Sequence, residues 1–464
     1  MREITLNTDG DLIVRSINGG ESKVDYAEIS SISFVDDHDD ISKISKLSDY
    51  SNEIFINFLI KKKEWKSLIN DGDKLLRSEG DSLTHSLWND YVDEQDRRKR
   101  KVSHFSILQS WVKLFLSFFV CSMIIFLRKI ENRPKDVSLQ KVAIVRSNAT
   151  YSKLKSISDD LSVTLISEDI VYKNKQITSL FSIISFSQCF KAMIRAFKTT
   201  IQDFNNLSLE LREHFGIEFY NILMTNYAPR VVLKCMFEQV LNILVVDFNI
   251  QEVVTGNKED RFAMVEKKLC SRYSIPLICI PHGLEYSYPF PTGVAGDVFY
   301  CTSENAKVVL KDIYPEVNFI FDELLQSKIY KVVSKEKLSA INSKSIIFFT
   351  ESRDIEVNRK IIDDLNSLGI DFSVRLHPKD CASNYVDKKI SYHDDYESAI
   401  KDSICICRKS TVLIEAVYNK SIAISYLINS KDSYYVSRVF PSLNSNDIHK
   451  CHDKESLVEL ILAS

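Results

Sequence analysis

The chain has 464 residues, of which 45% are hydrophobic and 27% are charged, and its formal net charge at pH 7 is −3. This length allows two or three domains, and this balance of charge argues against a general nucleic-acid-binding protein and against an acidic tail. The ten cysteines are scattered without a CxxC pair, which is typical of reduced thiols in a cytosolic protein rather than of a zinc site. The first residues contain no apolar run after a basic segment, so we expect no secretory signal.

Residues 1–95 are predicted to form a small accessory unit. The segment "EITLNTDGDLIVRSI" predicts a β-hairpin, because Asp-Gly lies between two alternating apolar runs. The segment from Trp65 to Val92 is predicted to form helical turns that are interrupted at Gly72 and Gly80. The role of this unit stays open.

Residues 96–138 are predicted to form a helical connector. A basic cluster, Arg97 to Lys101, precedes an apolar stretch from Leu114 to Leu127, and Lys113 interrupts any extension of that stretch. A membrane-spanning helix needs about 20 apolar residues, so a span is the least favoured interpretation. Two others stay open: a buried helix between domains, and a helix in the plane of the membrane whose basic cluster contacts anionic lipid headgroups. The second would place the protein in the cytoplasm, at the inner face of a bacterial inner membrane.

After Pro134 the sequence alternates short apolar runs with helical stretches, which predicts parallel α/β structure. A first unit is predicted over 139–325, with strands that include "KVAIVRSN", "LNILVVDFNIQEVVTGN" and "IPLICIPHG". A second unit is predicted over 344–464, with strands that include "SIIFFTESRD", "IDFSVRLHPKD", "SICICRKS" and "SIAISYL". Ligands of such sheets bind beyond the carboxyl ends of the strands, so the informative residues should follow each strand.

Two polar groups follow predicted strands of the first unit. Glu259 and Asp260 come at the start of a helix, where one carboxylate could act as a general base, or where both could simply stabilise the helix N-terminus. His282 and Gly283 follow the strand "LICIP", and we expect them to line a cleft with Glu285 and Tyr286 as acceptor-side groups.

Two further groups follow strands of the second unit. "VRLHPKD" places Arg375, His377 and Lys379 at one strand end, a combination that suits a phosphate, although a solvated basic turn is the simpler alternative. "ICICRKSTVLIEA" places Ser410 and Thr411 at a helix start, where hydroxyls bind anions or cap the helix. Glu415 follows one turn later and could accept hydrogen bonds from a ribose.

"RLHP" followed about 30 residues later by "KSTVLIEA" resembles the HP and Ser/Ser-Thr motifs of bacterial GT-B glycosyltransferases, over roughly residues 140–464. That group includes sialyltransferases and capsule Kdo transferases, which use CMP-activated sugars. The CDP-glycerol glycerophosphotransferases of teichoic acid synthesis look similar, and "KED" is similar to the acidic motif that supplies the sialyltransferase base. The resemblance implies two Rossmann-like domains facing a cleft. It also implies Glu259 or Asp260 as base, His377 binding or protonating the donor phosphate, and Ser410 and Thr411 binding that phosphate.

The sequence therefore predicts a glycosyltransferase that extends a bacterial surface polysaccharide, with a nucleotide-sugar donor and a lipid-linked or oligosaccharide acceptor. We expect a CMP-linked nonulosonic or Kdo-like donor, a reaction independent of metal ions, and no cofactor other than the nucleotide sugar as substrate. Three alternatives stay open: transfer of a polyol phosphate from a CDP-polyol, a sugar-nucleotide 2-epimerase of the same fold, and a non-catalytic assembly factor.

Overall fold

The structure, a computed structural model, describes residues 3–6, 12–15, 21–24, 105–131, 139–287, 293–331, 344–352, 355–428, 432–433 and 435–463. Near the N-terminus, β1 (Glu3–Leu6), β2 (Leu12–Arg15) and β3 (Glu21–Val24) form an antiparallel sheet. Leu6 pairs with Leu12, which confirms the predicted hairpin. The helical turns predicted around Gly72 and Gly80 and the basic cluster from Arg97 lie outside the described residues.

The first α/β unit follows a long helix, α1 (Phe105–Glu131), and contains seven parallel strands in the order β10-β9-β8-β7-β4-β5-β6. Most of the strands are short apolar runs with buried residues, as expected when helices cover both faces of a parallel sheet. They are β4 (Lys141–Val145), β5 (Thr164–Ser167), β6 (Thr178–Ser179), β7 (Glu252–Thr255), β8 (Leu277–Cys279), β9 (Val298–Tyr300) and β10 (Asn318–Ile320). The helices are α2 (Asn148–Ile157), α3 (Leu180–Ile183), α4 (Phe186–Asp247), α5 (Arg261–Tyr273), α6 (Glu304–Ile313) and α7 (Glu323–Tyr330).

One predicted strand is partly wrong, because the apolar run at 241–247 belongs to the 62-residue helix α4 rather than to the sheet. Val240, Leu241 and Leu244 are buried at helical spacing, so the run packs one side of a helix against the core. Only Glu252–Thr255 enters the sheet, as β7. A short apolar run does not by itself distinguish a buried strand from the buried turn of a helix.

The second unit contains six parallel strands in the order β13-β12-β11-β14-β15-β16. They are β11 (Ile346–Phe349), β12 (Ser373–Arg375), β13 (Ser391–Tyr392), β14 (Ile404–Cys407), β15 (Ile422–Tyr426) and β16 (Ile448–Cys451). The helices are α8 (Ile355–Ser367), α9 (Tyr396–Ala399), α10 (Val412–Tyr418) and α11 (Lys454–Leu462). The fold is thus α/β with two Rossmann-like units, the GT-B type of architecture.

Strand order locates the ligand crevice of each unit. The order reverses between β4 and β7 in the first sheet and between β11 and β14 in the second. Open parallel sheets bind ligands at such reversals, beyond the carboxyl ends of the two strands. The loops that follow these four strands are therefore the places to search for a site.

The connection between β15 and β16 joins the two units. Within it, Val439 and Phe440 pack on the first unit, where the Ser287 N–H donates to the Val439 carbonyl at 3.0 Å. The ring of Phe440 lies 5.5 Å from that of Tyr286, measured between centroids. Because Val439 belongs to the core of the first unit, this connection fixes the second unit against it.

Candidate active site

The loops after β11, β12 and β14 meet at the strand-order reversal of the second unit. The His377 N–H donates to Oγ1 of Thr350 at 3.0 Å, and the Lys409 N–H donates to Oε1 of Glu351 at 2.9 Å. Thr350 and Glu351 directly follow β11, between the two other strand ends. The loop after β11 therefore brings the HP motif and the Ser410 segment to one edge of the sheet.

His377 is held in one tautomer by its own turn. Its Nδ1 accepts a hydrogen bond from the Lys379 N–H at 3.0 Å, so this nitrogen carries a lone pair rather than a proton. The proton of the neutral ring is then on Nε2, which makes Nε2–H a hydrogen-bond donor. A donor at this position suits a phosphate oxygen.

Ser410 and Thr411 differ in how they use their hydroxyls at the start of α10. The Ser410 Oγ accepts from the Val412 N–H at 3.3 Å, which is local capping. Thr411 is the residue before the helix, and its side chain makes no capping hydrogen bond. Glu415 accepts a hydrogen bond from the Tyr396 hydroxyl through Oε2, and the described residues provide no hydrogen bond to its Oε1. That oxygen can accept from a ribose hydroxyl.

The Arg375 side chain is directed away from His377. Nη1 of Arg375 donates to the carbonyls of His393 at 3.2 Å and Asp394 at 2.6 Å, so its guanidinium supports the loop after β13. Lys379 is exposed and contributes its backbone N–H to His377. The contacts of Arg375 therefore do not group its guanidinium with His377, and a role of Lys379 on the phosphate stays a prediction.

A buried charge network stands behind Ser410, and sequence reasoning missed it. Arg408 and Asp432 are fully buried and paired through two hydrogen bonds of 2.5 and 3.0 Å. Nζ of Lys409 lies 2.5 Å from Asp432 and 3.1 Å from Glu351. Burial would raise the pKa of Asp432, but the two cations lower it from 3.8 to about 2. The network fixes the backbone that leads into the Ser410 segment.

In the first unit, Asp260 has a structural position rather than that of a free base. It is the N-cap of α5 and accepts from the Ala263 N–H at 2.8 Å, while Asn257 donates to its second oxygen. Burial alone would raise the pKa of Asp260, but Arg146 and the Ala263 N–H lower it. Glu259 pairs with Nζ of the buried Lys258 at 3.0 Å. Of the two carboxylates, Asp260 is thus held ionised and weakly basic.

Arg146, which follows β4, anchors this edge of the first sheet. Its guanidinium donates to the fully buried Glu266 at 2.7 and 3.4 Å and lies 5.1 Å from the ring centroids of Phe237 and Phe262. Burial opposes the charge on Arg146, but Glu266 and Asp260 outweigh it and raise the pKa of Arg146. The guanidinium is therefore surrounded by Glu266 and the two rings, and it fixes the start of α5.

His282 is the basic group at this edge. Its backbone N–H donates to the Gly256 carbonyl at 3.0 Å, and Nδ1 lies 2.7 Å from the same oxygen. A carbonyl only accepts, so Nδ1 carries the proton and Nε2 of the neutral ring carries a lone pair. Desolvation of the ring lowers the pKa of His282 from 6.5, which keeps the ring neutral at pH 7. The residue as a whole is exposed, and Nε2 is the ring nitrogen whose lone pair can accept a proton.

The other three residues expected to line the cleft have different positions. A Cβ on Gly283 would meet nothing within 4 Å, so this glycine borders open space. Glu285 does not line the cleft, because it is buried and its oxygens accept from Thr302 at 2.7 Å and from Ser442 at 2.5 Å. It ties the first unit to the β15–β16 connection. Tyr286 is half-buried, with its ring 4.1 Å from Nζ of Lys258.

Lys153 of α2 contacts Tyr330 at the end of α7, whose ring stacks on Tyr418 of the second unit at 5.7 Å, and it was not identified from the sequence. Its Nζ donates to the hydroxyl of Tyr330 at 3.0 Å. Burial lowers the pKa of Lys153 to about 8, and the nearby carboxylates of Glu415 and Glu285 act in the opposite direction. Lys153 in turn acts electrostatically on His282. The only available signal was its place on the helix after β4, at the strand-order reversal.

Within the described part of the chain, no group of three or more His, Cys, Asp and Glu side chains is arranged to hold a metal ion. The polar groups described above at the strand ends are imidazoles, hydroxyls and carboxylates, with the ammonium group of Lys153 on the helix after β4. Such a set suits a polyhydroxylated, phosphorylated ligand.

No family model matches the sequence, and no curated protein matches it. The fold is similar to that of UDP-GlcNAc 2-epimerase from Methanocaldococcus jannaschii, at 12% identity and a TM-score of 0.40, over 70% of this chain and 92% of that one. It is also similar to a putative UDP-N-acetylglucosamine 2-epimerase from Listeria monocytogenes, at 10% identity and a TM-score of 0.40, over 71% and 89% of the two chains. A third similar structure is UDP-GlcNAc 2-epimerase from Neisseria meningitidis bound to UDP-GlcNAc, at 11% identity and a TM-score of 0.37, over 70% and 99%.

Proposed function

We propose that the protein is a nucleotide-sugar glycosyltransferase, in which the second unit binds the donor and the first unit activates an acceptor hydroxyl. One observation carries the proposal: the two imidazoles at strand ends of the two units have opposite hydrogen-bond roles. Nε2 of His282 is an acceptor, and Nε2–H of His377 is a donor. Displacement at an anomeric carbon needs both, one to take the acceptor proton and one to stabilise the leaving phosphate.

In the proposed step, Nε2 of His282 takes the proton of the acceptor hydroxyl while the oxygen of that hydroxyl bonds to the anomeric carbon of the donor. The bond from that carbon to the donor phosphate breaks, and its electron pair stays on the phosphate. His377 and the hydroxyls of Ser410 and Thr411 donate hydrogen bonds to the phosphate oxygen that leaves the sugar. The products are a glycoside, a free nucleotide and a protonated His282 that returns its proton to water.

The choice of donor and acceptor rests on the motif resemblance. The HP and Ser/Thr motifs around His377 and Ser410 support a CMP-linked nonulosonic or Kdo-like sugar as donor. A lipid-linked or oligosaccharide precursor of a bacterial surface polysaccharide is the proposed acceptor. Oε1 of Glu415 would accept from the ribose of the nucleotide, and Lys153 would supply positive charge beside it.

A thermal-shift screen against CMP, CDP, UDP and GDP identifies the donor class, because a ligand that binds the folded state raises the melting temperature. The matching activated sugars are then incubated with oligosaccharide acceptors, and products are analysed by mass spectrometry. A glycoside that forms with wild-type protein, and not with His282→Ala or His377→Ala, supports the proposal.

Other products identify the alternatives. A phosphodiester product would indicate polyol-phosphate transfer, and deuterium uptake at C2 of a sugar nucleotide without acceptor would indicate an epimerase. Full transfer activity in both histidine variants would contradict the assigned roles.

A further inference from the structure

Helix α1 is apolar on both of its sides. The side that faces the protein contains Leu114, Cys121 and Ile125, which belong to the core of the first unit. The opposite side is exposed, with Leu116 63% and Phe119 64% accessible. Its exposed apolar residues recur at helical spacing and are Leu108, Val112, Phe115, Leu116, Phe119, Val120, Met123, Phe126, Leu127 and Ile130. A helix on a water-exposed surface normally has a polar outer face, so the outer face of α1 is typical of a helix that contacts an apolar partner or a membrane.

The first turns of α4 widen this apolar surface. Phe186, Phe190, Ile194 and Phe197 are exposed and recur every three or four residues, which places them in one row along the helix. Aromatic pairs between α1 and α4 show that the two helices run antiparallel, side by side. The pairs and their centroid distances are Trp111–Phe204 at 4.7 Å, Phe118–Phe197 at 5.0 Å and Phe126–Phe186 at 6.3 Å.

A row of cations borders the apolar row of α4. Lys191, Arg195 and Lys198 are all exposed and each follows an apolar member of that row by one position. The sequence from 186 to 200 contains no acidic residue, and Lys113 is the single charged residue from 105 to 127. The surface therefore combines a broad apolar area with positive charge along one side.

The apolar residues of this surface are contiguous along two helices. From Leu108 to Ile130 the exposed residues of α1 cover about 33 Å at a rise of about 1.5 Å per residue. With the adjoining row of α4, fourteen exposed large apolar side chains lie on one surface, and contiguous exposed apolar patches of this kind mark interaction sites. Apolar side chains bordered by Lys and Arg are the combination that binds the interface of an anionic bilayer.

We propose that the face formed by α1 and residues 186–198 of α4, here called the α1–α4 face, docks the protein on the surface of a membrane that contains anionic lipid. The apolar residues enter the headgroup and acyl boundary, while Lys191, Arg195 and Lys198 contact the lipid phosphates. This inference is independent of the proposed reaction, because none of these residues belongs to the cleft.

The helix lies in the plane of the membrane rather than across it. By length and composition, Leu108–Glu131 is apolar enough to span, with a mean hydropathy of 2.1. However, its inner side is packed along α4, and Nζ of Lys129 donates to the Phe181 carbonyl at 3.0 Å. A transmembrane orientation would remove these contacts and expose the core of the first unit. A docked orientation retains them.

The test is flotation of the full chain with vesicles of phosphatidylcholine alone and of phosphatidylcholine with 30 mol% phosphatidylglycerol, at low and high salt. We expect binding to the anionic vesicles, release of most protein at high salt, and extraction by alkaline carbonate. The triple variant Lys191→Gln, Arg195→Gln, Lys198→Gln should lower anionic-vesicle binding at least about tenfold.

Two further variants separate charge from apolar contact and from misfolding. Phe190→Ser with Ile194→Ser should lower vesicle binding without loss of fold, because both side chains are more than half exposed. The matched control is Lys311→Gln, Lys360→Gln, Lys389→Gln, which removes three exposed lysines that lie outside α1 and α4 and should leave binding unchanged. Circular dichroism checks the fold of each variant.

Four results would overturn the proposal. They are no vesicle binding by the wild type, equal binding to neutral and anionic vesicles, retention after carbonate extraction, which indicates a span, and equal loss in the control triple variant. A dimer in solution that the Phe190→Ser, Ile194→Ser variant converts to a monomer, without vesicle binding, would assign the face to a second copy of the chain.

Discussion

Nδ1 and the backbone nitrogen of His282 both lie within 3.0 Å of one oxygen, the carbonyl of Gly256. This carbonyl fixes the ring and its tautomer together. Position 256 requires glycine, because a Cβ there would lie 2.4 Å from Cγ2 of Thr150. The position of the proposed base thus depends on a close contact between the end of β7 and α2.

Substitution of Gly256 by Ala should displace that carbonyl and destabilise the fold by about 1–3 kcal/mol through overpacking. Chemical denaturation measures the free energy of unfolding, and a transfer assay should show a lower rate. Gly283→Ala is the matched control, since its Cβ meets nothing within 4 Å, and its effect on stability should be within about 0.5 kcal/mol. Equal unfolding free energies for the two variants would contradict the contact.

The acid limb of the activity profile should report His282. Desolvation lowers the pKa of His282 below 6.5. The ring is therefore neutral, and able to act as a base, at pH 6.5 and above. We expect kcat/KM to be constant near pH 7 and to fall only below pH 6.5. Long-range nitrogen–proton NMR should find the ring proton on Nδ1 of His282 and on Nε2 of His377. The same protonated nitrogen in both rings would contradict the assignment.

Asp260 distinguishes a helix cap from a base. Serine at this position retains a capping oxygen but cannot act as the carboxylate base. We therefore expect Asp260→Ser to retain transfer activity within a few-fold, and Asp260→Ala to lose about 1 kcal/mol of stability. A loss of activity in Asp260→Ser, with an unchanged free energy of unfolding, would indicate that Asp260 rather than His282 is the base.

Loss of one carboxylate should lower the free energy of unfolding more in the buried charge network behind Ser410 than in an exposed ion pair. Asp432→Asn removes the nearer of two carboxylates from the fully buried Arg408, leaves the longer Glu351 contact at 3.7 Å, and should cost about 3–5 kcal/mol, measured by denaturant unfolding. The control is Asp363→Asn, whose partner Lys388 forms an exposed pair worth less than about 1 kcal/mol. Similar losses in both variants would contradict this difference.

The same carboxylate predicts an acid-sensitive contribution to stability. Its folded pKa of about 2 is below the ordinary 3.8, so the folded state favours the ionised form. The contribution is fully present above pH 3.8 and is lost as pH falls towards 2. In Asp432→Asn this part of the acid-unfolding curve should be absent.

The sequence predicts the two sheets well because most strands are short apolar runs that end at Gly, Pro or polar residues, as at Gly256 and Pro281. It fails at 241–247, where the apolar run is one side of α4. Glu285 could not be assigned from the sequence, because its burial depends on Ser442, which is 157 residues away along the chain. Lys153 carries no local signal, since an isolated lysine in a helix is normally solvated.

The division of roles between the two units is the central claim, and nucleotide titration of three proteins tests it most directly. Isothermal titration of wild type, His377→Ala and His282→Ala should use the nucleotide found by thermal shift. We predict that His377→Ala weakens nucleotide binding at least about tenfold, the worth of a hydrogen bond to a charged group. His282→Ala should bind the nucleotide as the wild type does while losing transfer. Equal weakening in both variants, or no nucleotide binding by the wild type, would contradict the account.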